Sequence, residues 1–371
     1  MSGNYDIAIV GAGPAGATLA RLISGSCRVL LIDRRRLGVD ASADDAPASA
    51  RGAPEKCCGG LLAPDAQEML SRLGLGLPGE ILVGPQLFVV RTIDLDSGLE
   101  RYYQRYYINL DRDKFDRWLV SLVPSTVETR FGSLLKSLEQ ERDGCRIGLV
   151  SGGETQTCSA RYVIGADGAN SAVRKLALSD HAPVKKYVAI QEWVESKEPL
   201  PYFSVIFDSE ITDFYAWTIP KRDRLIIGGA FYPRNRAAER FELLKKKLGI
   251  FGYDFGAGVK REGALLLRPE NVSQICTGRR RVALIGEAAG FISPSSAEGF
   301  SFAMKSALAM SDVVAGGTGR LVERYTERTA CLRRIIRLKN LKAPFIFNPS
   351  LRKLVMLSGL QSTSVRKSHH G

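Results

Sequence analysis

Three glycine-rich segments, widely separated along the chain, constrain its fold more than any other feature. They begin at Gly11, Gly165 and Gly286, and each follows a short apolar run that is typical of a buried strand. A glycine-rich turn between such a strand and a helix is typical of the sheet edge at which a dinucleotide binds. Three of them in one chain predict an α/β, Rossmann-like fold whose sheet is assembled from distant parts of the sequence.

The first segment has the most complete surroundings. Tyr5–Val10 has the pattern of a buried strand and residues 14–24 that of a helix, so the glycines lie in the turn between them. Glycines there allow a tight turn and a close approach to a diphosphate, and the helix N-terminus presents its N–H groups to the phosphates. The predicted diphosphate-binding residues are Gly11, Gly13, Pro14, Ala15 and Gly16.

An acidic residue follows at the distance expected of a ribose ligand. Asp33 ends the second apolar run, Val29–Ile32, and follows Gly11 by 22 positions. The offset of a ribose-binding carboxylate from the first glycine is roughly 20 residues. We therefore expect Asp33 and the adjacent Arg34 to contact the cofactor.

The second and third segments favour FAD over NAD. In the second, an apolar run ends at Asp167 and Gly168, where the chain can turn back against a dinucleotide. In the third, a carboxylate can hydrogen-bond a ribityl chain, and the following helix can direct its N-terminal N–H groups at the flavin pyrimidine. The third segment contributes Gly286, Glu287, Gly290, Gly299 and Phe300 as predicted cofactor-binding residues. The three segments together predict an FAD cofactor.

The chain is long enough for two domains, with 371 residues. Alternating apolar and polar runs between the glycine segments predict an antiparallel, β-rich substrate domain that is inserted into the FAD-binding domain. We assign residues 1–80, 108–180 and 276–320 to the FAD-binding domain, residues 81–107 and 181–275 to the substrate domain, and residues 321–371 to a basic C-terminal helical region.

Composition argues against several kinds of site. The three histidines are His181, His369 and His370, so we expect neither a zinc centre nor a histidine-based triad, and we predict no metal. The seven cysteines form no CxxC pair, which suits a reducing cytoplasm. The sequence has no apolar run of about 18 residues and no room for a signal peptide before its first strand. We therefore expect a cytoplasmic location.

The C-terminal tail carries most of the positive charge. The formal net charge is +13, and residues 328–371 contain ten Lys or Arg and no acidic residue. Several interpretations stay open. The tail can lie on an anionic membrane surface, as a peripheral contact at the inner face, or admit an acidic, apolar ligand. Alternatively, it forms a pair of terminal helices that pack on the body with a solvated basic face. Nucleic acid is not predicted as a partner, because no nucleic-acid-binding module accompanies the charge.

Two further motifs stand between the glycine segments. Cys58-Gly59-Gly60 follows the first segment, and Tyr215-Ala216-Trp217-Thr218-Ile219-Pro220 precedes the third. With these motifs the sequence resembles, nearly end to end, the geranylgeranyl reductase family of flavoproteins, within the hydroxylase-like FAD fold. The sequence departs from the usual pattern at Glu287, where the wider fold has Asp, at Ile219, where the family has Phe, and at Cys57, which doubles the cysteine.

The resemblance implies roles for particular residues. Cys58 is the candidate to donate a proton or to shape the pocket, and Gly59 and Gly60 would let the backbone approach the flavin. These three join the predicted cofactor-binding residues. So does Arg112, because it precedes a Phe-Asp pair in the pattern that lies near the cofactor in family proteins. The alternative for Cys58 is a small buried residue beside a turn.

Tyr215 and Trp217 are two positions apart, so on a strand they would face the same side. The resemblance implies that they bind a prenyl chain, and we group them with Cys58 as candidate catalytic residues. The spacing alone fits an ordinary core equally well.

The resemblance also implies an activity, the reduction of isoprenoid C=C bonds by hydride from reduced flavin. The substrate would be a prenyl lipid or another hydrophobic small molecule, and the sequence does not identify the electron donor. Two other classes stay open. One is a flavin-dependent monooxygenase or halogenase of the same fold, because the aromatic motif also resembles one found in flavin halogenases. The other is a non-catalytic flavoprotein that binds lipid or a partner at the membrane surface.

Overall fold

The computed structural model describes residues 4–37, 57–196, 200–234 and 236–367. The chain forms two compact units, each assembled from three separate segments. The first unit comprises Met1–Glu55, Asp113–Val184 and Leu267–Leu338, and the second comprises Lys56–Arg112, Lys185–Leu266 and Lys339–Gly371. Within the described ranges, no helix is both long enough and apolar enough to cross a bilayer.

The secondary-structure elements are numbered in chain order. The strands are β1 (Asn4–Val10), β2 (Val29–Asp33), β3 (Leu61–Leu62), β4 (Leu87–Asp94), β5 (Leu99–Asn109), β6 (Glu128–Phe131), β7 (Ser133–Gln140), β8 (Cys145–Ser151), β9 (Glu154–Gly165), β10 (Lys185–Glu195), β11 (Phe203–Phe207), β12 (Ala216–Lys221), β13 (Arg224–Phe231), β14 (Gly258–Arg268), β15 (Gly278–Arg279), β16 (Val282–Leu284) and β17 (Ser364–Lys367). The α-helices are α1 (Pro14–Ile23), α2 (Pro64–Arg72), α3 (Arg112–Ser121), α4 (Ala172–Ala177), α5 (Ala237–Ile250), α6 (Phe300–Ala315), α7 (Leu321–Arg328), α8 (Ala330–Phe347) and α9 (Pro349–Leu357).

A largely parallel sheet organises the first unit. Its strands lie in the order β15-β16-β9-β1-β2-β6, and β16, β9, β1, β2 and β6 run parallel. β7 and β8 form an antiparallel hairpin that continues from β9. All five residues of β2 are buried, as expected of a parallel strand that is covered on both faces. Helices α1 and α6 pack against each other, and most of α6 is buried.

An antiparallel sheet organises the second unit. Its strands lie in the order β14-β10-β13-β12-β11-β4-β5-β17. The pairs β10–β13, β13–β12, β12–β11, β4–β5 and β5–β17 are antiparallel, and the pair β11–β4 is parallel. Helix α5 covers part of this sheet and buries an apolar stripe, Phe241, Leu244 and Leu248, against Ile227 and Phe231. These side chains recur at helical spacing on α5 and alternate along β13, which is why the sequence forms this layer.

The predicted boundaries follow residues 80, 107, 180, 275 and 320, whereas the observed units change after residues 55, 112, 184, 266 and 338. The sequence assigns residues 1–80 to the FAD-binding domain, but Leu61 and Leu62 pair with β5, so the segment from residue 57 belongs to the second unit. A strand of two residues leaves no periodic pattern to detect. The predicted C-terminal helical region contains α7, α8 and α9, but it also contains β17, which pairs with β5. Residues 368–371 lie outside the described residues.

Candidate functional site

The structure brings the three glycine segments together at the carboxyl ends of neighbouring parallel strands. The backbone N–H of Ala166 donates to the carbonyl oxygen of Val10 at 2.7 Å, and that of Ile285 donates to Gly165 at 2.9 Å. The turns that follow β1, β9 and β16 therefore form one edge of the first unit's sheet. This edge is where ligands bind in open α/β sheets.

The first turn needs two of its glycines for its own packing and leaves the third facing open space. Gly11 has φ +105°, and a Cβ there would come within 2.5 Å of the Ala166 carbonyl oxygen, while a Cβ on Gly16 would overlap the Gly11 oxygen. A Cβ on Gly13 would meet nothing within 4 Å. Pro14 begins α1, which has neither a side-chain cap nor an acidic residue in its first turn. This helix end can therefore accept a phosphate.

Asp33 holds the first turn against the end of β2. Its Oδ2 atom accepts the backbone N–H of Ala12 at 2.7 Å, and its carboxylate also accepts the backbone N–H of Arg35 at 2.8 Å and two guanidinium contacts at 3.2 Å. The side chain is 6% exposed. Four donors from the chain thus orient this carboxylate, and its contact with a ribose stays a prediction.

Arg35 is the arginine that engages this carboxylate, and sequence reasoning missed it. Its guanidinium joins Asp33 to Asp116 of α3, whose Oδ2 lies 2.9 Å from Nη1. Burial acts to lower the pKa of Arg35, but the two carboxylates outweigh it and raise that pKa. Arg34, the predicted ligand, is exposed. In a run of consecutive arginines the pattern does not show which side chain turns inward.

The two carboxylate oxygens of Asp167, in the second turn, differ in their hydrogen bonds. One accepts hydrogen bonds from the chain, and the other has no partner among the described residues. Its Oδ2 atom accepts the backbone N–H groups of Ala172 and Val173 at 2.6 and 3.2 Å, which caps α4. Its Oδ1 atom is buried and has no hydrogen-bond partner among the described residues. Burial raises the pKa of Asp167, and the hydrogen bonds it accepts oppose that shift. A buried acceptor of this kind fits a hydroxyl or N–H donor on a ligand. Gly168 follows it, with open space where a Cβ would lie.

Arg174 ties the second turn to the third. Its guanidinium donates to the carbonyl oxygens of Gln274 at 2.9 Å, Ala182 at 3.0 Å and Ala288 at 3.3 Å. Burial lowers the pKa of Arg174. No sequence motif points to this residue, because its partners are backbone oxygens, and those of Gln274 and Ala288 are far away along the chain.

The third turn packs directly against the first. A Cβ on Gly286 would lie 3.0 Å from the Cβ of Ala15. Glu287 Oε1 accepts the backbone N–H of Leu267 at 3.1 Å, and Gly290 ends the short 3₁₀ turn. The carboxylate therefore has a contact within the first unit, and its predicted bond to the ribityl chain stays a prediction.

Helix α6 begins next to this turn. Gly299 is its N-cap residue, with no side-chain cap and no acidic residue in the first turn. The Phe300 ring meets the edge of Phe115 with centroids 5.2 Å apart, which orders the start of the helix. Arg112 is the first residue of α3 and the last of the second unit's first segment. The predicted cofactor contacts of Gly299, Phe300 and Arg112 stay predictions.

These features of the first unit fit an extended, anionic dinucleotide. They supply open space at Gly13, an unpartnered acceptor on Asp167 and two helix N-termini without side-chain caps. In the part of the chain that the structure describes, no cluster of three or more His, Cys, Asp or Glu side chains could hold a metal ion.

The Cys-Gly-Gly turn lies in the second unit and packs on strand β12. A Cβ on Gly59 would overlap the Cδ1 atom of Ile219, so a side chain at position 59 would separate the turn from the strand. Gly60 has φ +61° and donates its N–H to Cys58 Sγ at 3.5 Å. The two sequence motifs, distant along the chain, therefore touch through Gly59 and Ile219.

The two adjacent cysteines differ in their surroundings. Cys57 is buried, and burial, followed by the charge of Glu262, raises the pKa of its thiol to about 12. Cys58 is half-buried. A thiol must be reachable to exchange a proton or to react, and Cys58 is the more exposed of the two. Its role as a catalytic and cofactor-binding residue stays a prediction.

Tyr215 and Trp217 belong to a buried aromatic cluster. Their ring centroids are 5.7 Å apart, so they face the same side, and Tyr215 also contacts Phe214 at 4.7 Å. Phe207, Phe347 and Tyr187 also belong to the cluster. Tyr215 and Trp217 are each 8% exposed. Their role as catalytic or substrate-binding residues stays a prediction.

The indole N–H of Trp217 is a polar group on this aromatic face. Its Nε1 atom is buried and has no hydrogen-bond partner among the described residues. Gly228 pairs with Trp217 on β13, and Gln191 pairs with Gly228 on β10, so the three form a row across the sheet. A buried N–H without an acceptor costs free energy, which an acceptor atom on a ligand would recover.

Comparison with known proteins agrees with this geometry. A family model described as an FAD binding domain matches residues 50–240, more than half of the chain. Protein CbrA of Escherichia coli O139:H28 is 41% identical over 358 residues, which covers 96% of this chain and 97% of the relative.

Solved structures share the fold at low sequence identity. A geranylgeranyl bacteriochlorophyll reductase-like protein from Thermoplasma acidophilum superposes with a TM-score of 0.76 at 18% identity, over 96% of this chain and 91% of its own. PqsL, a probable FAD-dependent monooxygenase from Pseudomonas aeruginosa, gives a TM-score of 0.66 at 19% identity, over 95% and 99% of the two chains. The predicted hydroxylase-like FAD fold is thus confirmed. The chain belongs to the FAD-binding family of FAD-dependent oxidoreductases that includes CbrA, and its cofactor is FAD.

Proposed function

We propose that this flavoprotein reduces C=C bonds of a prenyl or polyprenyl lipid. The observation that carries the proposal is the contact of the Cys58-Gly59-Gly60 turn with Ile219, on the strand that also carries Trp217. A thiol and an aromatic face in the same unit are what an alkene reduction needs from the protein, because one supplies a proton and the other holds an apolar chain.

The side chains of the second unit have separate tasks in this reaction. When bound in its reduced form, FAD would supply the hydride. The aromatic face around Tyr215 and Trp217 packs against isoprene units and keeps water away from the reacting carbons. The thiol of Cys58 gives its proton to the alkene carbon that does not receive the hydride, which leaves a saturated bond and a Cys58 thiolate. The N–H of Trp217 is available to an oxygen atom of the lipid.

Mass spectrometry of the lipid tests the proposal. The FAD-loaded protein is reduced with dithionite, mixed with polyprenyl phosphates without oxygen, and the products are compared with a parallel reaction in air. We expect the lipid to gain hydrogen pairs without oxygen. A gain of an oxygen atom only in air would make the protein a monooxygenase, and bound flavin with no product from any prenyl lipid would favour a binding function.

The paired cysteines offer a matched control. We expect Cys58→Ala to retain FAD but to lose most of the reduction, because the proton donor is gone. Cys57→Ala removes the same atom from the neighbouring, buried position and is expected to keep most of the activity. Equal activity in both variants would remove Cys58 from the reaction.

We also propose that the C-terminal segment rests on the inner, anionic face of the cytoplasmic membrane. Within the described residues this segment exposes several large apolar side chains, namely Leu341, Phe345, Leu354, Leu357 and Leu360. Lys342 and Lys353 are exposed among them, and no acidic residue follows Arg328. Exposed apolar groups flanked by cations suit a surface of anionic lipid, where a prenyl substrate is also found.

A further inference from the structure

Lys221 is a buried lysine to which the proposed reaction assigns no role. It ends β12, directly after the Tyr215–Pro220 motif, and is 4% exposed. Its Nζ atom donates to the carbonyl oxygen of Leu110 at 2.7 Å and to that of Gly60 at 3.4 Å. These acceptors are neutral, so neither of them offsets the cost of burying an ammonium group.

The same glycine connects Lys221 to Cys58. The Gly60 carbonyl oxygen accepts from Lys221 Nζ, while the Gly60 N–H donates to Cys58 Sγ at 3.5 Å. A Cβ on Gly60 would lie 2.9 Å from Nζ. The amine and the thiol therefore approach opposite ends of one glycine, on the turn that packs against Ile219.

The electrostatics of Lys221 suit proton exchange near neutrality. Burial lowers the pKa of Lys221 to about 7, and the charges that oppose this shift are those of Cys58 and Asp111. An ordinary lysine keeps its proton at neutral pH, whereas this one releases it there. Cys57 does not compete for the proton, since the pKa of its thiol is raised to about 12.

We propose that Lys221 returns a proton to Cys58 after each turnover. The inference rests on the proposed role of Cys58 as the proton donor to the alkene. An N–H bond of the Lys221 ammonium breaks and an S–H bond forms on the Cys58 thiolate, which gives a neutral amine and a thiol. The amine then takes up a proton from water. The step involves no oxidant or reductant.

Alkylation of Cys58 tests the pairing without any substrate. FAD-loaded wild-type protein and the Lys221→Met variant are treated with iodoacetamide from pH 5 to pH 10, and the modified peptide is quantified by mass spectrometry. A nearby ammonium stabilises the thiolate, so the variant is expected to react about tenfold more slowly at pH 7, which corresponds to a shift of one pKa unit, and equally fast near pH 10. Identical pH profiles would overturn the proposal.

Controls distinguish proton transfer to Cys58 from a purely structural role, in which Lys221 only stabilises the turn through its hydrogen bonds to Gly60 and Leu110. Lys247→Met removes a lysine of the same unit that pairs with Asp208, and it is expected to leave the alkylation profile of Cys58 unchanged. If Lys221 served only to stabilise the turn through its hydrogen bonds, Lys221→Met would be less stable but would keep the alkylation profile of Cys58.

If Lys221→Met does not retain FAD, competitive methylation of Lys221 in the Cys58→Ser variant replaces the alkylation experiment. The pKa of Lys221 is then expected to fall, because the thiolate that raises it is gone, and an unchanged value would refute the pairing.

The pH dependence of alkene reduction is the measurement that depends on the proposed function. Wild-type alkene reduction is expected to decline as the pH rises through about 7, because the ammonium form is lost. In Lys221→Met this decline is expected to be absent and the rate low throughout. A shifted alkylation profile without any prenyl reduction would keep the Lys221–Cys58 pair and reject the substrate class. A normal decline in the variant would reject the pair.

Discussion

The indole of Trp217 lies across the backbone of Gly228 on the neighbouring strand. A Cβ on Gly228 would overlap the Nε1 and Cε2 atoms of the indole, and the two residues are direct partners in the pairing of β12 with β13. The absence of a side chain at position 228 therefore allows the indole to lie flat on the sheet. Flat packing fixes the direction of its N–H and the shape of the aromatic face.

Gly228→Ala is predicted to displace this indole. The added methyl group forces a new rotamer on Trp217, and overpacking of this kind costs about 1–3 kcal/mol of unfolding free energy. We expect normal FAD content, a lower melting temperature and a severalfold lower rate of lipid reduction. Gly249→Ala is the control, because a Cβ at position 249 on α5 meets nothing within 4 Å. Equal rates in the two variants would show that the indole position does not matter for turnover.

Arg35→Met is predicted to weaken FAD binding. The substitution leaves Asp33 and Asp116 without their shared cation, and hydrogen bonds to charged groups contribute about 1.5–3 kcal/mol each. We expect the dissociation constant of FAD to rise by about tenfold or more, as measured by quenching of flavin fluorescence. Arg34→Met, at an exposed position, is expected to have a smaller effect. A larger effect of Arg34→Met would identify Arg34 as the cofactor ligand.

Arg352→Met is predicted to destabilise the second unit. Arg352 Nη2 lies 2.8 Å from Asp94 Oδ1 and 2.6 Å from Asp96 Oδ2, and Asp94 is fully buried. Removing one member of a buried ion pair typically costs about 3–5 kcal/mol, because the partner charge stays buried. Urea unfolding measures this loss. Lys353→Met, at the adjacent exposed position, is expected to change stability by less than about 0.5 kcal/mol.

Stability is predicted to depend on pH through Lys221. The pKa of this lysine is lowered from 10.5 to about 7 in the folded protein, so between these values the unfolded chain binds more protons than the folded one. The contribution of Lys221 to the unfolding free energy therefore rises with pH across this window, by at most about 1.4 kcal/mol per pH unit. We expect urea unfolding from pH 7 to pH 10 to show this rise in wild type and not in Lys221→Met. Parallel curves would show that the lysine is not buried as described.

Charge substitutions are predicted to abolish membrane contact. Leu341→Glu combined with Leu354→Glu places acidic groups on the exposed C-terminal segment, where anionic lipid would repel them. We expect binding to phosphatidylserine-containing vesicles to fall at least tenfold in a sedimentation assay. Ile250→Glu alters an equally exposed apolar residue at the end of α5 and is expected to bind like wild type. If wild-type protein does not sediment with the vesicles, the membrane proposal fails.

The backbone of the first unit could be predicted because it follows local rules. The turn at Gly11 and the helix start at Pro14 both follow from the spacing of glycines behind an apolar strand. The direction of side chains could not be predicted in the same way. Arg34 and Arg35 are chemically identical in the sequence, and it is Arg35 that lies between Asp33 and Asp116, the latter contributed by a distant helix.

Residues of the second unit show the same limit. Tyr215 and Trp217 could be placed on one face, since strands alternate. The burial of Lys221 could not be predicted, because a lysine at a strand end is usually exposed. Its burial depends on Gly60 and Leu110, which come from another part of the chain. Its position directly after the aromatic motif was the one signal that the sequence offered.

The pairing of β17 affects how the protein folds during its synthesis on the ribosome. It pairs with β5, from which it is separated by most of the chain, and the second unit as a whole draws on three segments, of which Lys339–Gly371 is the third. A chain emerging from the ribosome therefore cannot complete this sheet until β17 has been synthesised and has emerged. Until then the edge of β5 at residues 99–102 is open to other strands, so chaperones that shield unpaired edges are expected to associate with the nascent chain until β17 has paired.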